Sequence, residues 1–168
     1  MPSSHKLVLR ALEPEDLDLL YQLENDTRFW ANANTTVPYS RYALKQYLTT
    51  VVNDIYKDGQ VRLVAELSGT AIGLVDLFHF DPMHQRAEVG ILLLPEHQGK
   101  GLAAQALTAL CQYARTLLLH QIYAIVSNEN QPAAHAFEHA GFTPTIPLRQ
   151  WLNNGETFVD ATLWQFFL

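Results

Sequence analysis

Residues 89–94 read Val-Gly-Ile-Leu-Leu-Leu, and Pro95-Glu96-His97 then lead into Gln98-Gly99-Lys100-Gly101-Leu102-Ala103. A helix-patterned stretch runs from Ala103 to Leu118. An apolar strand that enters a glycine-rich turn and leaves as a helix demands mixed α and β structure. It also gathers free backbone N–H groups and the positive end of a helix dipole at one point, which makes an anion cradle. A Gly-x-Gly between strand and helix serves equally as a bare tight turn, and this segment alone does not separate the two. It is not Gly-x-x-x-x-Gly-Lys-Ser/Thr, because Leu102 and Ala103 offer no hydroxyl to magnesium. Nor is it Gly-x-Gly-x-x-Gly, because residue 104 is Ala.

The rest of the chain supplies the frame. Lys6–Leu12 reads as a strand. Glu13-Pro14-Glu15-Asp16 starts a helix, with Pro in the first turn and acids near the positive end, and Leu19, Leu20 and Leu23 mark one helical face to Asn25. Thr27–Tyr39 lacks periodicity and reads as a loop. Leu44, Tyr47, Leu48 and Val51 have helical spacing. The period then changes: strands at Val61–Leu67 and Ala71–Phe80 form a hairpin about Ser68-Gly69, and Ala87–Leu94 follows. In the helix after the glycines, Leu102, Ala106, Ala109, Leu110, Tyr113 and Leu117 share a face. Ile122–Val126 is a short buried strand. Pro132 starts a last helix that Gly141 ends. Strands at Thr145–Leu152 and Phe158–Phe166 flank the turn signal Asn153-Asn154-Gly155. The order is β-α-α-β-β-β-α-β-α-β-β, a mixed α/β (α+β) domain with an antiparallel meander at its centre.

Composition narrows the function. One domain over 1–168 fits the length. Hydrophobic residues make up 48% and charged residues 17%, enough for a packed core. A net charge of −6 without a basic stripe argues against nucleic acid as a partner. Cys111, the single cysteine, excludes a disulfide framework and reads as a small buried side chain. Met1–Lys6 is polar and no apolar run reaches spanning length, so the expectation is a cytoplasmic protein without a membrane partner. His135 and His139 share a helix face, but no third ligand joins them by spacing, so no metal is expected. His97 stands beside the glycines. His79 and His84 lie near a strand end and its turn, where they could face a substrate.

The element order, with the glycine turn after the fourth strand, resembles the GNAT superfamily of acyl-CoA-dependent N-acyltransferases. That family's cofactor motif, Gln/Arg-x-x-Gly-x-Gly/Ala, matches Gln98-Gly99-Lys100-Gly101-Leu102-Ala103. A second motif appears as Asn130-Gln131-Pro132-Ala133, Phe137 and Gly141-Phe142. Leu9–Asp16 also looks like the start of such domains. Gln85-Arg86-Ala87-Glu88 and Pro95–Ala103 are similar to the spermidine/spermine and the ribosomal-protein N-acetyltransferase groups. The resemblance implies a mainly antiparallel sheet of six to seven strands, with helices on both faces and a splay between the fourth and fifth strands.

It also implies chemistry by position. Gln98, Gly99, Lys100, Gly101, Leu102 and Ala103 would hold the acetyl-CoA pyrophosphate. Backbone groups of Leu92, Leu93 and Leu94 would pair with the pantetheine arm, and one N–H, assigned to Leu93, would polarise the thioester carbonyl. Asn130 would hydrogen-bond the arm, beside Phe137. A primary amine would attack the thioester directly. An alkyl ammonium, with a pKa of about 10, must first lose a proton. Glu88 is the candidate, either as base acting through water or as an anchor for the substrate.

Two departures from the pattern set expectations. Many relatives carry Tyr where this chain has Phe137, and its hydroxyl protonates the leaving sulfur. Without it the thiolate leaves unaided or draws a proton elsewhere; the alternative is a non-catalytic acyl-CoA-binding module. In polyamine acetyltransferases the segment between the first two helices is acidic. Here Thr27–Asn53 contains no Asp or Glu but does contain Arg28, Arg41 and Lys45. A polyamine is therefore the less favoured acceptor, behind a peptide or protein N-terminus, an amino sugar or another small amine. Trp30, Asn32, Asn34 and Tyr39 are candidate acceptor contacts. Trp164, Phe166 and Phe167 either pack internally or pair two chains as a homodimer.

Overall fold

A computed structural model describes residues 6–29 and 36–168. Strand β1 is Leu7–Arg10, and a 3-10 turn at Pro14–Asp16 leads into α1, Leu17–Glu24. Helices α2, Arg41–Thr50, and α3, Ile55–Asp58, precede β2, Val61–Leu67, β3, Thr70–Asp81, and β4, Arg86–Leu93. A 3-10 turn at Pro95–His97 then gives α4, Leu102–Thr116, β5, Gln121–Ser127, α5, Gln131–His139, β6, Thr143–Asn153, and β7, Phe158–Phe167. Among the described residues the expected order holds, with α3 added and residues 27–29 helical where a loop was expected. The single turn of α3 is too short for a periodic pattern, but its ends carry signals: the Asp54 side chain caps Tyr56 N–H, and Gly59 closes it in the left-handed conformation. The α1 entry is also tighter than expected, because Asp16 and Glu13 cap each other reciprocally across the 3-10 turn.

The seven strands form one sheet in the order β1-β2-β3-β4-β5-β7-β6. Every pairing is antiparallel except β4 with β5. Strand alternation sorts the side chains onto two faces. Ala65, Val75, Leu77 and Val89 pack with Leu102, Ala106, Leu110 and Phe137 of α4 and α5. Val64 and Leu74 pack with Leu20 and Leu23 of α1 and Leu44 of α2. Helices therefore cover both faces. Cys111 is buried in the α4 side of the core, and burial pushes its thiol up to about 11, which keeps it protonated and inert.

The parallel ladder is short. It joins Arg86 to Gln121, Ala87 to Ile122 and Glu88 to Tyr123, and there it ends. Both strands continue, so the sheet opens between them. Trp164 is buried, and Phe166 packs against Phe142 at 5.3 Å between ring centres. Phe167 is exposed, as are Ile146, Trp151 and Phe158 on the same hairpin. Among the described residues no helix is long and apolar enough to cross a membrane.

Candidate active site

A cavity of about 570 Å³ passes through the opening between β4 and β5. Val89–Leu92 and Ala124–Ser127 line it on either side. Asn130, Ala133 and Phe137 of α5 close one end, and Glu24, Tyr39, Tyr47, Arg62 and Asp76 close the other.

The register decides which β4 groups face the gap. Leu94 N–H donates to the Ile72 carbonyl at 2.9 Å, and Leu92 stands opposite Leu74. In an antiparallel ladder alternate residues turn both backbone groups to the same neighbour. Leu92 and Leu94 therefore face β3, while Ile91 and Leu93 face the opening. This corrects the expectation that Leu92, Leu93 and Leu94 all present backbone groups to an added chain. Leu93 and Ile91 turn their backbone groups to the opening, and Leu92 lines the cavity. The sequence could not reveal this, because a slip of one residue exchanges the two sets. Gly73 holds the register close: a Cβ there would lie 2.3 Å from the Leu92 carbonyl oxygen.

The glycine turn has the geometry of a cradle. Gly99 and Gly101 adopt φ of 71° and 74°, and a Cβ on either would meet nothing within 4 Å. Gly101 is the N-cap of α4, and no side chain caps this helix. Its first N–H groups are thus left for an outside acceptor, with the helix dipole behind them. Lys100 is exposed beside them. Gln98 turns inward and donates from Nε2 to the Leu93 carbonyl at 3.1 Å. Leu102 is buried and anchors the helix, and Ala103 is half-buried. These residues fit a phosphorylated ligand whose arm enters the sheet opening.

Asn130 caps α5, its Oδ1 accepting from Ala133 N–H at 3.2 Å. Only its Nδ2 remains to donate into the cavity. Phe137 is 4% exposed and meets Phe142 edge-on at 5.0 Å. Its ring supplies wall and no proton.

The far end carries the charge. Arg62 donates Nε to Asp76 Oδ1 at 2.7 Å and Nη2 to Asp76 Oδ2 at 2.8 Å, and Nη1 bonds Glu24. Burial pushes this guanidinium down, but Asp76 and then Glu24 outweigh it and hold the charge firmly in place. Gly90 stands opposite Asp76 in the register and leaves the floor open; a Cβ there would press on the Phe78 ring at 3.3 Å. Glu88, 15% exposed, accepts from His79 Nδ1 at 2.7 Å. Burial first, and then the Glu88 charge, push the Tyr123 phenol up.

Tyr39 reaches the cavity rim, its backbone clasped by both ends of the Asn25 amide at 2.7 and 2.9 Å. Trp30, Asn32 and Asn34 lie outside the described residues. His139 donates Nδ1 to the His135 carbonyl, so that pair is a helix-surface contact. Sequence reasoning missed Glu24, Arg62 and Asp76, which come from three different elements and share no local pattern. It named His79 without finding its partner.

The family model for the acetyltransferase (GNAT) domain matches residues 6–143. Spermidine N(1)-acetyltransferase of Escherichia coli (strain K12) is 37% identical over 147 residues, covering 85% of this chain and 76% of that protein. Among solved structures, the spermidine N-acetyltransferase of Vibrio cholerae in complex with CoA and spermine superposes with a TM-score of 0.84 at 31% identity. It covers 96% of this chain and 95% of that one. A dodecameric structure of the Vibrio cholerae enzyme in an intermediate state gives a TM-score of 0.76 at 30% identity, over 96% and 94% of the two chains. With its sheet opened beside an uncapped glycine turn, the chain belongs to the GNAT acetyltransferase family and is an acetyl-CoA-dependent N-acetyltransferase.

Proposed function

We propose that the acceptor is a primary amine of a cationic, polyamine-like molecule. The observation that carries this is the charge of the cavity. Glu24, Asp76 and Glu88 line it against the single guanidinium of Arg62, so carboxylates exceed fixed cations. A low-dielectric cleft of one sign concentrates the opposite charge. The spermidine acetyltransferases similar to this chain support the same acceptor class. The acid-free Thr27–Asn53 stretch pointed the other way, but the carboxylates come instead from α1, β3 and β4.

In this scheme the amides of Gln98 to Ala103 take the pyrophosphate of acetyl-CoA. Leu93 N–H faces the thioester carbonyl, Nδ2 of Asn130 bonds the arm, and Phe137 walls the sulfur. The amine enters past Tyr39 and meets Glu88 and His79. Self-association through the exposed apolar side chains Ile146, Trp151, Phe158 and Phe167 belongs to the same proposal, supported by the dodecameric relative. Light scattering on the purified chain tests it, and a monomer at all concentrations rejects it.

Thiol release from acetyl-CoA, measured with spermidine, spermine, a peptide with a free N-terminus and glucosamine, tests the acceptor. The polyamines are expected to give kcat/KM at least about tenfold above the others, with KM rising in salt. Preference for the peptide or the sugar would reject the polyamine class.

A further inference from the structure

The β3–β4 hairpin departs from regular pairing at one place. The register shifts between Phe78 and Asp81, and within that bulge His79 adopts φ of 49°. A non-glycine residue in the left-handed region is strained and persists where its surroundings over-determine it. Here the outcome is a defined placement. The imidazole stands edge-on to Phe78 at 4.7 Å, and its Nδ1 lies 2.7 Å from Glu88 Oε2. Both residues line the cavity, at the last rung of the β4–β5 ladder.

The two partners differ in access. Glu88 is 15% exposed and His79 68% exposed. A carboxylate only accepts, so Nδ1 carries the hydrogen and Nε2 keeps its lone pair, on a side chain that lines the cavity. A histidine whose Nδ1–H is fixed by a buried carboxylate is built as a proton acceptor.

We infer that His79 is the general base of this acetyl transfer and that Glu88 is its positioning residue. The inference rests on the amine-acetylating function proposed above. The acceptor ammonium loses one proton to His79 Nε2, and the electron pair left on nitrogen forms the new N–C bond. The C–S bond breaks, the sulfur leaves with the C–S bonding pair, and it takes up the second proton, which the acylated nitrogen sheds. Ammonium plus thioester thus give amide, thiol and one proton, which His79 returns to water through its exposed edge. Among the described residues, Glu88 on β4 bonds the imidazole, Tyr123 stands opposite Glu88 on β5, and the hairpin end carries the Asp81–Arg86 ion pair, 3.3 Å apart, with His84, whose backbone N–H bonds Asp81. Gln60 on the strand side is neutral.

Two measurements on the full chain test this. The first is the pH dependence of kcat/KM with spermidine for wild type, His79→Gln and Glu88→Gln. His79→Gln is expected to lose about 100-fold at pH 7, with KM for acetyl-CoA unchanged. The deficit should shrink steadily as pH rises toward about 10, where the amine deprotonates itself. Glu88→Gln should keep a base-dependent profile at a lower rate. A His79→Gln rate within threefold of wild type at pH 7 overturns the inference. So does a deficit that does not depend on pH. The second measurement needs no acceptor. Nitrogen-15 NMR of the histidines should show His79 as the Nδ1–H tautomer in wild type, with a shift toward Nε2–H in Glu88→Gln. An Nε2–H tautomer in wild type overturns the inference whatever the substrate proves to be. Failure of every polyamine to react would reject the proposed acceptor and leave the NMR result to decide this one.

Discussion

Gln98 donates its side-chain amide to the carbonyl of Leu93 at 3.1 Å, which ties the glycine turn to the end of β4. That carbonyl is turned to the sheet opening and would otherwise stand unpaired there. The bond thus fixes the turn and the Leu93 peptide, the two parts of the proposed acyl-donor site, relative to each other. Replacing Gln98 by Ala removes a hydrogen bond worth about 1 kcal/mol. Acetyl-CoA affinity should fall roughly three- to tenfold, read by calorimetry. An unchanged Kd would mean that the turn holds its position without β4.

The Arg62 cluster makes a sharper claim on stability. Its guanidinium side chain is 21% exposed, and Glu24 and Asp76 are 13% and 18% exposed. Removing the cation leaves two confined carboxylates facing each other. Arg62→Met should cost about 3–5 kcal/mol in chemical denaturation at pH 7. Arg62→Lys should be intermediate, because an ammonium cannot bridge Asp76 with two parallel bonds. A neutral-pH loss below about 1 kcal/mol would show that the cavity rehydrates both acids without help.

At the other end of the same face, Asp16 is 5% exposed and accepts from Arg10 Nη1 and Nη2 at 2.8 and 2.9 Å, and from Glu13 N–H at 2.8 Å. Burial alone would raise the Asp16 carboxyl; the Arg10 bonds and the Glu13 N–H outweigh it and hold it below the usual carboxylate range. A carboxyl depressed in the folded state stabilises the fold above its unfolded value of about 3.9, and the gain is lost as pH falls through the lower folded value. Asp16→Asn should therefore cost about 1–3 kcal/mol at pH 7. The gap between the two proteins should start to narrow below about pH 4 and close only once pH has passed below the depressed folded value. Urea titrations from pH 7 downward check both, and a gap that does not narrow in acid would point to lost capping geometry rather than lost charge.

Much of the frame was legible because its causes are local. Alternating apolar residues located β2 to β5, and the positive φ of Gly99 and Gly101 is what a strand-to-helix turn demands of glycine. The glycine motif with Asn130 and Phe137 marked one end of the cavity for the same reason. The charged end was hidden because it depends on distance and parity. Arg62 meets Glu24 across 38 residues and Asp76 across 14. Whether Leu92 or Leu93 faces the opening depends on a register that no single strand encodes. The left-handed backbone of His79 belongs to a bulge whose residues carry no glycine.

Phe137 supplies the last prediction. It occupies the cavity wall next to Asn130 and Ala133, 4% exposed and edge-on to Phe142. Phe137→Tyr adds one hydroxyl to a ring already held in place. In a site that accepts acetyl-CoA along the β4 opening, that hydroxyl would stand where a leaving thiolate needs a proton. General-acid assistance of this kind is worth about 100-fold or more when proton transfer limits the rate. A thiolate with a pKa of about 8.5 leaves far more readily than an amine, so the native Phe137 enzyme already turns over. We expect kcat to rise about tenfold on the true acceptor, while the calorimetric Kd for acetyl-CoA stays within twofold. A kcat that does not move would show that sulfur departs unaided and that proton loss from the amine sets the rate. In that case the pH profile of the Tyr variant should match wild type, and only the His79 and Glu88 variants should change it.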